Sequence, residues 1–146
     1  MYAIKIITAA QTHPIRQEVL RPGQPVERCV FAGDEAADTI HFGLFTNNEL
    51  AGIISLFKTP NPLFTEKEQY QVRGMAILRG HQKKGFGDAL LKKAEAHATA
   101  NGATRIWCNA RENALGFYQK VGYLINGAPF LIEGVGIHSV MHKAVI

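Results

Sequence analysis

The sequence predicts a mixed α/β fold with a sheet at its centre. Three observations carry this. Short apolar runs rich in β-branched residues recur along the chain; two of them are joined at Asn47-Asn48; and one leads through a basic glycine loop into a helix-period segment, Ala76 to Gly102. Together the signals imply the order β-α-β-β-β-α-β-α-β-β.

"YAIKIIT" at the N-terminus reads as the first strand. "THPIRQEVL" follows as a short helix, with Thr12 as its expected N-cap and Pro14 in an early turn. From "RPGQP" to "GDEAAD" proline, glycine and acids predict a loop, anchored by Val30 and Phe31. "TIHFGLFTNNELAGIISLF" predicts a hairpin, because Asn47 and Asn48 tolerate positive φ. "KTPNPLFTEKE" is a further loop and "YQVRGMAIL" a strand, in which Gly74 marks a bulge or a close backbone approach. In the next helix Leu90, Leu91, Ala94 and Ala98 share one face, Asp88 and Lys92 pair, and Asn101-Gly102 supplies the stop. "TRIWCNA" is a buried-type strand, "ENALGFYQKV" a short helix closed by Gly122, and the remainder two or three strands broken by glycines. With no repeat or linker, residues 1–146 read as one domain.

Composition narrows the class. A chain of 146 residues that is 47% apolar and 19% charged is long enough to bury a core and is ordinary for a water-soluble domain. No apolar run approaches the roughly 20 residues a bilayer requires. The N-terminus lacks a long apolar region with a cleavage site, so the cytoplasm is the expected compartment. Two cysteines, Cys29 and Cys108, are too few for a disulfide framework or a metal cluster, and no metal is expected. The net charge of +4 permits an anionic partner. Lys83, Lys84, Lys92 and Lys93 gather around the glycine loop, without a basic tail or interleaved aromatics. Phosphate on a small ligand fits this better than a nucleic acid or a membrane.

A strand entering a glycine loop at a helix N-terminus presents outward N–H groups and roughly half a positive charge, which is an anion site. As a bare pattern it equally fits a tight turn with solvated lysines. Two phosphate motifs are excluded. Phe86-Gly87 stands where a P-loop needs Lys-[Ser/Thr], and Gly85-Phe86-Gly87 continues as Asp88-Ala89-Leu90 rather than as a dinucleotide fingerprint.

"HQKKGFGDALL" resembles the Q/R-x-x-G-x-G/A signature of the GNAT N-acyltransferase superfamily, with Gln82, Gly85 and Gly87 in the defining places. "VRGMAIL" resembles that family's fourth strand and "ALGFYQKVGY" its F-Y-x-K-x-G-[FY] segment, in matching order. "IRQEVLRPGQ", "CNARENALGFYQKVGY" and "IEGVGIHSVM" further resemble the ElaA-like branch.

The resemblance implies a GNAT fold, a central mixed and mostly antiparallel sheet flanked by helices. It implies acetyl transfer from acetyl-CoA to a primary amine on a small molecule or peptide. Gln82, Lys83, Lys84, Gly85, Phe86, Gly87 and Asp88 would then hold the pyrophosphate, and Met75, Ala76 and Ile77 the pantetheine arm. Tyr118 matches the general acid to the leaving thiolate, the alternative being a core aromatic beside Phe117. Two positions depart from the family pattern. Cys108 stands where many relatives carry a glutamate and reads as a small buried residue, leaving Glu133 as candidate base or as a solvated turn acid. Arg111 replaces a common asparagine, so Asn109 is the expected cofactor contact and Asn113 a helix N-terminal residue.

The histidines, His138 included, have no ligand-like spacing and read as surface or satisfied core residues. Arg16 and Glu18 are candidates to line an acceptor pocket, with specificity from loops around residues 22–39 and 58–68. Homodimers are common in such folds. A non-catalytic acyl-CoA-binding or sensing domain is the alternative, and a basic nucleic-acid-binding domain the third reading.

Overall fold

The computed structural model describes residues 1–145, and its centre is one seven-stranded sheet. The strands are β1 (Tyr2–Ile7), β2 (Ile40–Thr46), β3 (Glu49–Phe57), β4 (Gln69–Ile77), β5 (Arg105–Arg111), β6 (Leu124–Ile132) and β7 (Gly136–Ala144). They lie in the order β1-β2-β3-β4-β5-β7-β6, and every neighbouring pair is antiparallel except β4–β5. Three α-helices accompany them: α1 (Ala9–Ile15), α2 (Phe86–Ala100) and α3 (Leu115–Lys120). The element order and the mostly antiparallel sheet match the expectation.

Side-chain alternation explains why the sheet is covered on both faces. Phe42, Leu44, Ala51, Ile54 and Leu56 face α2 and pack on the predicted stripe of Leu90, Leu91, Ala94 and Ala98. Ile7 and Ile53 face the other way and meet Ile15 of α1. The hairpin turns at Asn47 and Asn48, with φ of 52° and 61°, the paired left-handed conformation that suits the strand twist. Asp88 holds Lys92 at 3.0 Å, one turn along α2.

The first helix starts earlier than expected. Thr8, not Thr12, is its N-cap. The Thr8 hydroxyl accepts from the Gln11 N–H at 3.2 Å, and the Gln11 side chain accepts from the Thr8 N–H at 2.8 Å. Thr12 is buried with Ala9 and Ile15, and donates to the Ala9 carbonyl at 2.6 Å. The register that buries this stripe therefore moves the cap four residues back. Beyond Pro14 the helix widens into a π-turn, Arg16–Leu20.

That π-turn begins with the largest fully buried side chain described, Arg16. Its guanidinium makes a two-point contact with Asp34, at 2.7 and 3.0 Å, and donates to the Cys29 carbonyl at 2.8 Å and to Ser55 Oγ at 3.0 Å. Ser55 in turn meets His41 Nδ1 at 2.7 Å, and His41 Nε2 donates to the Asp34 carbonyl at 2.9 Å. Arg16 holds the Asp34 carboxyl below its ordinary value, against the opposing effect of burial, which is the larger single influence. The network pins the loop after Arg21 against β2 and β3. Phe31 is buried there while Val30 is 56% exposed, so only one of the two expected anchors serves.

Gly74 meets both expectations placed on it. Its φ is +63°, the β3–β4 register shifts opposite it, and an added Cβ would stand 3.1 Å from the Phe31 ring and 3.3 Å from Arg16 Nε.

Candidate active site

β4 and β5 pair over three positions only, Gln69–Arg105, Tyr70–Ile106 and Gln71–Trp107. Beyond Gln71 they diverge. The freed edge of β4 keeps its N–H and C=O groups available, as a bound chain requires. Residues 58–68 brace the closed end and do not line the cleft, unlike the expectation for that loop. Trp107 Nε1 donates to the Thr59 carbonyl at 2.8 Å, Arg105 Nε to Glu66 at 2.7 Å, and the Gln69 amide bonds to Asn61.

The opening between the strands is a cleft of about 470 Å³. Met75, Gln82, Asn109 and Tyr118 line it, so four of the expected residues share one space. Ala76 and Ile77 lie one step further along β4, paired with β3. Arg16 does not line the cleft, because its pair with Asp34 keeps it in the core. Glu18 sits on a neighbouring depression with Arg79 and Gln82. Glu133 is exposed on the turn between β6 and β7, outside the cleft, although Ile132 and Val135 on either side reach it.

The glycine loop closes one end. Gln82 donates back to the Ile77 carbonyl at 3.0 Å, which ties the loop to the end of β4. Lys83 and Gly85 take φ of 63° and 80°, and Gly85 is the N-cap of α2 with no side chain to satisfy its first N–H groups. A Cβ at Gly80 or Gly85 would meet no atom within 4 Å, so the loop faces open space. At Gly87 a Cβ would lie 3.5 Å from the Phe117 ring of α3, an ordinary van der Waals contact. Lys83 and Lys84 are exposed at the rim, and the Asp88 carboxylate turns to Lys92. The backbone of this loop fits a phosphate group.

Tyr118 stands in the throat. It is 6% exposed and packs edge-on against Phe117 and Tyr123, with ring centroids 5.2 and 5.3 Å away. Burial first, then the neighbouring Cys108 side chain, raises its phenol well above the ordinary value. Cys108 is pushed up to about 12, chiefly by burial. It is therefore an un-ionised thiol at neutral pH, which agrees with its reading as a small buried residue. His138 belongs to the same cleft, a place its spacing did not foretell. Its Nδ1 lies 2.7 Å from the Gly136 carbonyl. A carbonyl only accepts, so Nδ1 carries a hydrogen and Nε2 is the ring nitrogen left to face the cleft's chemistry. Among the described residues no cluster of His, Cys, Asp and Glu could hold a metal ion.

A model of the acetyltransferase (GNAT) family matches residues 8–123, spanning both the glycine loop and Tyr118. The chain belongs to this family. It is 39% identical over 143 residues to YitI of Bacillus subtilis (strain 168), an uncharacterized N-acetyltransferase, covering 98% of this chain and 96% of that one. Among solved structures, Escherichia coli ElaA superposes with a TM-score of 0.80 at 15% identity, covering 98% of this chain and 99% of ElaA. The ribosomal-protein-S18-alanine N-acetyltransferase of Escherichia coli gives 0.77 at 16% identity, over 99% and 94%. At such identities these two likenesses are likenesses of fold. This GNAT member thus has the family's sheet, with β4 and β5 paired only as far as Gln71 and Trp107.

Proposed function

We propose that the chain transfers an acetyl group from acetyl-CoA to a primary amine on a small molecule or peptide, by direct attack. The observation that carries this reading is the parting of β4 from β5 after Gln71, with an open glycine loop at one end and a buried phenol in the throat. Acetyl-CoA supplies the thioester. The loop N–H groups of Gln82 to Asp88, with Lys83 and Lys84 at the rim, hold the pyrophosphate. The free β4 edge around Met75, Ala76 and Ile77 takes the pantetheine amides, Asn109 faces them across the cleft, and a β4 N–H polarises the thioester carbonyl.

The acceptor nitrogen bonds to the carbonyl carbon, the carbon–sulfur bond breaks, and two protons move. Tyr118 gives one to the departing sulfur. Its raised pKa keeps the phenol protonated until thiolate charge develops beside it. His138 Nε2, rather than the exposed Glu133, receives the proton the nitrogen loses, because His138 lines the cleft and its Nδ1–H is already engaged by the Gly136 carbonyl. The two free, buried thiols suit a reducing compartment such as the cytoplasm.

Calorimetric titration with acetyl-CoA, CoA and dephospho-CoA tests the cradle, and an amine panel with wild type, His138→Gln and Glu133→Gln tests the transfer. Saturable binding with turnover that falls in His138→Gln and persists in Glu133→Gln is expected. Binding without turnover of any amine would instead favour a sensing domain, and no binding at millimolar ligand would remove the cradle.

A further inference from the structure

The cleft has a second end that the transfer step leaves unused, and it is cationic. Arg21 follows the π-turn, Arg73 sits midway along β4, and Arg111 ends β5; all three line the cleft beside Phe31. Arg21 Nη1 and Arg111 Nη2 donate to one and the same acceptor, the Leu20 carbonyl, at 3.2 and 2.9 Å. Arg73 is held by stacking, its guanidinium carbon 4.5 Å from the Phe31 ring centroid and 5.3 Å from that of Phe57. Among the described residues none of the three forms an ion pair; Asp34, the nearest acid in the network, is occupied by Arg16.

Such an arrangement opposes stability. Burial, helped by nearby guanidiniums, lowers all three below the ordinary arginine value. An arginine has five donors in a fixed fork, and the Leu20 carbonyl uses one from Arg21 and one from Arg111. The rest are left over for the cleft. The CoA pyrophosphate does not claim Arg73, which stands roughly 13 Å along the strand from Ile77, where the glycine loop begins, and Arg21 and Arg111 are tied back to the Leu20 carbonyl. Structural cation–π stacking accounts for Arg73 lying on Phe31, but not for three like charges converging on one wall.

We propose that the acceptor amine carries an anionic group, a carboxylate or a phosphate, held by the Arg21–Arg73–Arg111 wall while its nitrogen points toward Tyr118. Guanidinium forks match either oxyanion in two-point geometry. The cleft volume, shared with the pantetheine arm, admits a small molecule or one side chain. Amines with a second positive charge are excluded by repulsion. The inference rests on the acetyltransferase reading and names its substrate class.

The test compares acceptors matched in shape and differing in charge: L-glutamate with L-glutamine, and glucosamine 6-phosphate with glucosamine. The wild-type kcat/KM is expected to favour one anionic member at least tenfold over its neutral partner, and which pair responds separates carboxylate from phosphate. Arg73→Gln and Arg111→Gln should raise the acceptor KM at least tenfold while the acetyl-CoA KM stays put, with circular dichroism confirming the fold. Equal turnover of charged and neutral acceptors overturns the proposal and leaves the acetyltransferase reading standing. Should no amine turn over, calorimetry of the CoA-saturated protein with L-glutamate and with glucosamine 6-phosphate decides separately. Binding that Arg73→Gln abolishes supports the arginine wall, and no binding of either anion overturns it.

Discussion

At the glycine-loop end of the cleft the cations are Lys83 and Lys84, adjacent in sequence and exposed; at the other end they are Arg21, Arg73 and Arg111, from three elements and partly buried. Exposed ammonium groups in water attract an anion weakly and are screened by salt within roughly 8–10 Å. On the proposed reading, affinity at the loop comes from oriented N–H groups at a helix start, and the lysines add only attraction. Partly buried guanidiniums act in a lower dielectric, where charge is costly until matched and selective once matched. On the proposed reading, one end thus suits a ligand shared by the family and the other discriminates among acceptors.

The strongest way to break this comparison is to remove what supports the arginine end. Asp34→Ala leaves Arg16 buried and unpaired, and should cost about 3–5 kcal/mol, read from urea denaturation. A loss below about 1 kcal/mol would mean that the network does not hold the wall. The same pair gives a pH dependence. The Asp34 carboxyl is held below its ordinary value of 3.8, so its contribution is complete above that value and is lost as pH falls through the lower folded value. Melting temperatures between pH 2 and 6 should therefore fall less steeply in Asp34→Asn than in wild type.

Tyr118→Phe acts between the two ends and should spare both. We expect kcat to fall about 10²-fold, near 2.7 kcal/mol in barrier, with acetyl-CoA affinity unchanged in the calorimeter. Unchanged turnover would remove the phenol from the mechanism. Gly85→Ala addresses the loop. A side chain at φ of 80° adds roughly 1 kcal/mol of strain and fills the open space, so acetyl-CoA binding should weaken about tenfold while acceptor KM holds. The smallest effect belongs to the exposed lysines. Lys83→Gln with Lys84→Gln should weaken acetyl-CoA about threefold at low salt and scarcely at all in molar salt. A larger, salt-resistant loss would erase the distinction between the two ends.

Much of this architecture could be read from local pattern. The Asn47-Asn48 hairpin, the α2 stripe and the Asp88–Lys92 pair depend on residues within one or two turns of each other, and each formed as expected. Gly74 also declared itself, because a glycine inside a strand signals either a bulge or a neighbour pressed against the backbone. The N-cap slipped from Thr12 to Thr8, since two threonines offered similar chemistry and only burial of Ala9, Thr12 and Ile15 decided between them.

The site divided along the same line. Gln82, Gly85, Gly87 and Tyr118 could be singled out as candidates because loop geometry and the family's motifs are short-range patterns. The meeting of Gln82 and Tyr118 with Met75 and Asn109 in one cleft follows from the parting of β4 and β5. By itself the sequence determined the elements, their order and the glycine loop, since φ preferences and apolar periodicity act over a few residues. Only the tertiary structure decided that Arg16 is sealed in the core while Arg21, Arg73 and Arg111 share a wall, and that His138 joins the cleft while Glu133 stays on an exposed turn. Those outcomes depend on which distant strands pair and which face each side chain takes, and no spacing along the chain encodes either.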